Sequence, residues 1–160
     1  MNILKKVGAF FALNTTTKWL LVEAFIYLGW ARFLKTLPFS KIAPSLGKHM
    51  KETTLISDSS NQHVLKNVSQ AIHIMSRYTF WESQCLVKAI AGMKMLEKRE
   101  IESTLYLGTA KDEHGKFIAH AWLRSGSFYI SGAEGKGKFA VIAKFAKEIS
   151  AKKAKGENYG

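Results

Sequence analysis

An α+β fold, helices first and an antiparallel meander after them, is what this sequence predicts, and three observations carry that expectation. Apolar residues recur at helical spacing as far as about residue 98. From residue 104 the spacing changes to alternation, the period of a strand. Turn-forming clusters, Asp112 to Gly115 and then Ser125 with Gly126, separate the alternating stretches. Helices followed by hairpin-connected strands make an α+β arrangement.

The helical elements follow in order. Asn14, Thr15, Thr16 and Thr17 supply N-cap chemistry for a helix over residues 18–36, and Pro38 stops it. A short linker is expected around Pro44 to Gly47. Asp58, Ser59 and Ser60 then cap a helix whose apolar positions are Val64, Leu65, Val68, Ala71, Ile72 and Met75, the stripe of an amphipathic helix. A loop over residues 77–82 leads to a further helix over 83–98, which should bury Leu86, Val87, Ala89, Ile90, Met93 and Leu96.

Residues 104–109 read as a strand, residues 116–124 as its antiparallel partner, and residues 127–131 as a third strand. A glycine-rich segment from Gly132 to Gly137 precedes an apolar element over 139–149, which periodicity leaves open between strand and helix. The lysine-rich tail from Ala151 reads as frayed. The expected division is an N-terminal helical region (1–58), a core (59–150) and a basic tail (151–160).

Bulk properties narrow the function classes. A chain of 160 residues, 47% hydrophobic and 22% charged, holds one compact domain and is not disordered by composition. The net charge of +12 favours acidic partners. No basic helix is patterned for a nucleic-acid groove and no zinc-finger spacing occurs, so nucleic acid is set aside. The single cysteine, Cys85, excludes an intramolecular disulfide and a multi-cysteine metal site, and it fits a reducing, cytoplasmic setting. No cofactor is implied. Residues 3–35 are rich in apolar side chains, but Lys18, Glu23, Arg32 and Lys35 interrupt them, so a membrane-spanning helix is not expected. No clean small-residue cleavage site follows, so a secretory signal is not expected either. A helix packed on the domain or on a partner is the preferred reading of this segment; a helix lying on a membrane surface is the other.

The chemistry centres on Cys85 and His120. Cys85 is expected at the second or third position of its helix, where first-turn amides lack acceptors and the helix dipole favours a thiolate. Those amides would also hold an oxyanion, with Gln84 as a helper, while Trp81 and Trp122 are candidate substrate contacts. His120 lies on a strand, sharing a face with Ile118 and Trp122; that face packed on the cysteine helix would bring His120 to Cys85 as its base. A base histidine needs an acceptor on its other nitrogen, and the candidates are Glu134, Ser131 or a backbone carbonyl. His49, His63, His73 and His114 show no metal-ligand spacing.

Cys85 to Ala89, Leu105 to Gly108, His120 to Arg124 and the later Ser131 and Gly132 resemble, in that order and spacing, the leader peptidases (B proteins) of lasso-peptide biosynthesis, which belong to the transglutaminase-like superfamily. The resemblance covers about residues 60–146, and the tripeptide His120, Ala121, Trp122 is its most specific element. It implies a transglutaminase-like or papain-like cysteine peptidase core, a cysteine-bearing helix on an antiparallel sheet, with an N-terminal helical extension. It implies a Cys-His-Asp triad, of which Cys85 and His120 match; Ser131 or Gly132 stands where the aspartate would. The implied activity removes the leader from a ribosomally made precursor and passes the core to a macrocyclising synthetase. Stand-alone members borrow a separate leader-recognition protein, for which the apolar N-terminal helices here are the expected docking surface. The alternatives are a transglutaminase-like acyl transferase, a non-catalytic scaffold protein, and a membrane-surface protein anchored through residues 3–35.

Overall fold

Two helices form from the apolar N-terminal segment in the computed structural model, which describes residues 2–81 and 83–150. α1 (Ile3–Ala12) is followed after Leu13 and Asn14 by α2 (Thr15–Leu34). The cap is the one its residues suggest: Asn14 Oδ1 accepts the N–H of Thr17 at 2.8 Å, and the helix starts there rather than at residue 18. α2 buries Leu21, Ala24, Leu28 and Ala31, spaced to form one face. Glu23 leaves α2 to receive two hydrogen bonds from Arg99, at 2.7 and 2.8 Å, a fork that ties the helix to a distant part of the chain.

Pro38 precedes a single helical turn, α3 (Phe39–Ile42), which runs into a 3-10 turn over Ala43–Leu46. The expected linker is therefore a packed element: Ile42 and Leu46 are buried in the same core as α2. β1 (Lys48–His49) follows. Asp58 Oδ1 accepts the N–H of Ser60 at 2.9 Å and opens a 3-10 turn that leads into α4 (Gln62–Ser76). Leu65, Val68, Ala71 and Ile72 of its predicted stripe are buried, with Val64 and Met75 at the margins.

α5 (Cys85–Lys98) buries more than one stripe, because Ala91, Gly92 and Met95 join Val87, Ala89, Ile90, Met93 and Leu96. It lies between α2 and α4 on one side and the sheet on the other, so nearly its whole circumference meets protein. The sheet comprises β2 (Ser103–Lys111), β3 (Phe117–Ser125), β4 (Phe128–Ser131), β5 (Ala140–Lys147) and β1, all antiparallel, in the order β1-β5-β2-β3-β4. Asp112 shapes the β2–β3 turn, its Oδ1 accepting from the N–H groups of His114 and Lys116, both at 2.9 Å. The undecided final element is a strand over Ala140–Lys147; pairing with β1 on one side and β2 on the other makes it interior. The tail from Ala151 lies outside the described residues.

Leu105 pairs with Leu123 and with Phe145, forming an apolar row across three strands that faces α5. Gly92 lets the helix come down on that row, since a Cβ there would lie 2.9 Å from Leu123 Cδ2. The face meeting α5 is thus that of Ala121 and Leu123. The opposite choice, with Ile118, His120 and Trp122 turned onto the cysteine helix, is corrected: those residues are on the far face.

The far face is aromatic and polar. Trp122 stacks on its cross-strand partner Tyr106, ring centroids 5.4 Å apart and planes 8° from parallel. Arg124, buried beside them, donates to Tyr106 Oη at 2.8 Å, to the carbonyls of Thr54 and Gly126 at 3.1 Å, and to that of Thr53 at 3.0 Å. The segment before α4 is thereby strapped over the sheet, and Thr53 N–H adds a bond to Thr104 Oγ1 at 2.9 Å. Tyr106 donates to Glu52. Burial and then this bond push the Tyr106 phenol up to about 12. The same bond, helped by Lys144, holds the Glu52 carboxyl below its ordinary value. Among the described residues no helix is long and apolar enough to cross a membrane.

Candidate functional site

Cys85 is the first residue of α5, one or two positions earlier than its sequence context suggests. The loop ahead of it is pinned. Thr79 Oγ1 donates to the Trp81 carbonyl at 3.0 Å and lies 2.8 Å from Ser83 Oγ, while the Trp81 ring packs on Phe25 of α2 with centroids 5.1 Å apart. Gln84 is the N-cap in extended conformation, and its carbonyl accepts the first helical bond, from Lys88 N–H at 3.0 Å. Its side chain does not cap the helix but accepts from Lys35 Nζ at 2.6 Å. The N–H groups of Cys85, Leu86 and Val87 consequently have no acceptor within the helix, an arrangement that favours negative charge on an oxygen held beside them.

His120 sits half-buried on β3. Its ring lies 4.9 Å from that of Phe139 and 5.9 Å from that of Trp122, tilted by 29° and 30°. Nε2 is 2.8 Å from the carbonyl oxygen of Gly132. A carbonyl only accepts, so Nε2 carries the proton and Nδ1 of the neutral ring is left with its lone pair. Gly132 has φ +73, and a Cβ there would stand 2.3 Å from the Ala121 carbonyl oxygen. Only glycine brings its carbonyl to this position.

Cys85 and His120 line one cleft of about 650 Å³. Although His120 is on the face away from α5, the cleft reaches it around the sheet edge. β4 ends at Ser131, paired with Leu123, so among the described residues no strand lies beside β3 before Leu123 on that side. One wall is α4, which Ser69 fastens to the sheet by donating to the Ile130 carbonyl at 2.7 Å. No hydrogen bond joins the Cys85 thiol to the imidazole among the described residues; both line the same space.

The remaining predicted residues are distributed unevenly. Ser131 and Glu134 line the cleft, but neither is bonded to His120: Ser131 Oγ is buried without a hydrogen-bond partner among the described residues, and Glu134 is exposed at the rim. The acceptor on the ring is the Gly132 carbonyl. Trp122 is not a cleft wall; it is buried on the far face of the sheet, stacked on Tyr106, and backs the His120 ring. Trp81 anchors the loop ahead of Cys85 to α2 and also lies outside the cleft. Lys88, His73 and Tyr129 line the cleft without having been singled out. Lys88 was detectable, being one helical turn after Cys85 and therefore on its face. His73, approached at 2.9 Å by Arg77 Nη2, belongs to the outward side of α4 and carried no signal of its own.

A family model described as Transglutaminase-like superfamily matches residues 24–144. No curated protein and no solved structure matches the chain.

Proposed function

The chain belongs to the transglutaminase-like superfamily, and on that premise we propose that it is a cysteine peptidase that cleaves the leader from a ribosomally synthesised lasso-peptide precursor. The observation that supports this reading best is the shared cleft, with the only cysteine at a helix N-terminus on one wall and an oriented histidine on another. Cys85 is the nucleophile. It attacks the carbonyl at the leader–core junction as its proton passes to Nδ1 of His120. The amides at the start of α5 receive the oxyanion. Collapse of the tetrahedral intermediate breaks the C–N bond, and His120 returns the proton to the departing amine of the core. Water, deprotonated by the same imidazole, then hydrolyses the thioester and frees the leader.

The partners in this reading are the precursor, a separate leader-recognition protein and the macrocyclising synthetase that takes the core, all in the cytoplasm. Superfamily membership equally suits a transglutaminase-like acyl transferase, in which an amine replaces water in the second half-reaction. The deciding experiment incubates wild type, Cys85→Ala and His120→Ala with precursor and leader-binding protein, and reads the products by mass spectrometry. Wild-type release of leader and core, lost in both variants, supports the peptidase. Leader release unaffected in Cys85→Ala defeats the reading and leaves a scaffold protein. An amine-linked product instead of a free carboxyl assigns the acyl transferase.

A further inference from the structure

None of the ten residues of α1 is buried, and its apolar side chains share one helical stripe turned to solvent: Ile3 is 79% exposed, Leu4 83% and Phe11 69%, with Val7 between them. On α2 every exposed side chain beyond Thr16 is apolar: Trp19, Val22, Ile26, Trp30 and Phe33. Their spacing of three and four residues draws a line along the helix, opposite the face that enters the core. Lys18, one turn before Val22, places its ammonium 5.8 Å from the centre of the Phe11 ring, so the end of one stripe adjoins the start of the other.

The charges around these stripes have one sign. Between residues 2 and 42 the basic residues are Lys5, Lys6, Lys18, Arg32, Lys35 and Lys41, and the sole carboxylate is Glu23. Glu23 is already neutralised by Arg99 and Lys98, so among the described residues of this segment the surface presents apolar and cationic groups with no free acidic one.

We propose that this face of α1 and α2 binds the surface of an anionic lipid bilayer. A layer of hydrocarbon under a negatively charged headgroup surface complements apolar stripes in a segment where six basic residues accompany one neutralised carboxylate, with Lys18 beside the junction of the stripes. Trp19 and Trp30 suit the headgroup level, where an amphipathic ring has both its environments. The association is parallel to the membrane, since no described helix can cross one. α1 packs Phe10 against the core but leaves its stripe of Ile3, Leu4, Val7 and Phe11 in water, and a bilayer supplies the surface that stripe lacks. Two copies of the chain meeting through this face would bring like charges together, which opposes a symmetric dimer.

The test is flotation of the full-length protein with vesicles of phosphatidylcholine alone and of phosphatidylcholine mixed with phosphatidylglycerol. The expected result is co-flotation with the mixed vesicles, weak binding to the neutral ones, and loss of binding as salt approaches about 1 M. Lys5→Gln and Lys6→Gln should each weaken binding by about fivefold. Trp19→Ser with Ile26→Ser should weaken it at low salt, and circular dichroism should show the fold retained, because these side chains are outside the core. Absence of flotation with the mixed vesicles at low salt overturns the proposal. So does a lipid-free dimer that Ile26→Ser dissociates, or leader-recognition-protein binding that the same variant abolishes while vesicle binding is unchanged.

Discussion

His120 Nε2 donates to the carbonyl oxygen of Gly132 at 2.8 Å, so among the described residues a main-chain group, with no carboxylate, fixes the orientation of the ring. The bond sets the tautomer and leaves Nδ1 to accept a proton, while Phe139 and Trp122 restrict the ring's plane.

Substitutions around the ring should therefore rank in an order that carboxylate orientation would not produce. Glu134→Gln and Ser131→Ala are expected to keep leader cleavage within about twofold of wild type, whereas Gly132→Ala, which displaces the carbonyl, should lower kcat by about a hundredfold. Nitrogen-15 NMR of the imidazole gives a reading independent of turnover. It should show the Nε2-H tautomer in wild type and a mixture in Gly132→Ala. A large loss in Glu134→Gln would mean that the carboxylate reaches the ring in the working complex.

Arg124 is expected to matter for stability well beyond an ordinary surface cation. Arg124→Leu leaves the carbonyls of Thr53, Thr54 and Gly126 and the Tyr106 hydroxyl short of a donor under the strap. A loss of about 3 kcal/mol or more follows, seen as a fall in Tm of about 6–12 °C. Arg124→Lys should recover little of it, because one ammonium cannot serve four acceptors in a plane. A Tm change under about 2 °C in Arg124→Leu would show that the strap is held by other contacts.

Acid and alkaline unfolding should each report a named bond. The Arg99 guanidinium holds the Glu23 carboxyl below its ordinary value, so the stability it lends is complete above the usual carboxylate range and is lost as pH falls through the lowered pKa. Glu23→Gln is thus expected to destabilise at neutral pH by about 1–2 kcal/mol and to flatten the acid limb of a Tm-against-pH curve. Tyr106 runs the other way. Its pKa is raised to about 12 by burial, then by Glu52, so its contribution is complete below about pH 10 and declines as pH rises towards 12. Tyr106→Phe should shorten that alkaline decline. An unchanged acid limb in Glu23→Gln would show that other carboxylates govern it.

Gly92→Ala should be destabilising despite alanine's better helix propensity. The added methyl would stand 2.9 Å from Leu123 and 3.2 Å from Ile130, forcing α5 off the sheet at a cost of about 1–3 kcal/mol. Chemical denaturation measures it directly; a variant as stable as wild type would mean that the helix shifts freely on the sheet.

Much of this protein was determined by local sequence alone. The helical stripe from Leu65 to Ile72, the Asn14 cap, the Asp112 turn and the hairpin strands follow from residue spacing and side-chain chemistry within a few positions, and the structure has them where that chemistry requires. Cys85 at a helix start and His120 on a strand were legible for the same reason. Tertiary structure decided what local pattern leaves symmetric or silent. Alternation divides β3 into two faces, but Ile118 with Trp122 and Ala121 with Leu123 are both apolar, and only packing against Gly92 selects the second for α5. The strand over Ala140–Lys147 depends on partners far away in the chain, so its own period could not settle it. The acceptor on His120 is a main-chain carbonyl; every residue has one, and only the fold determines which of them meets the ring.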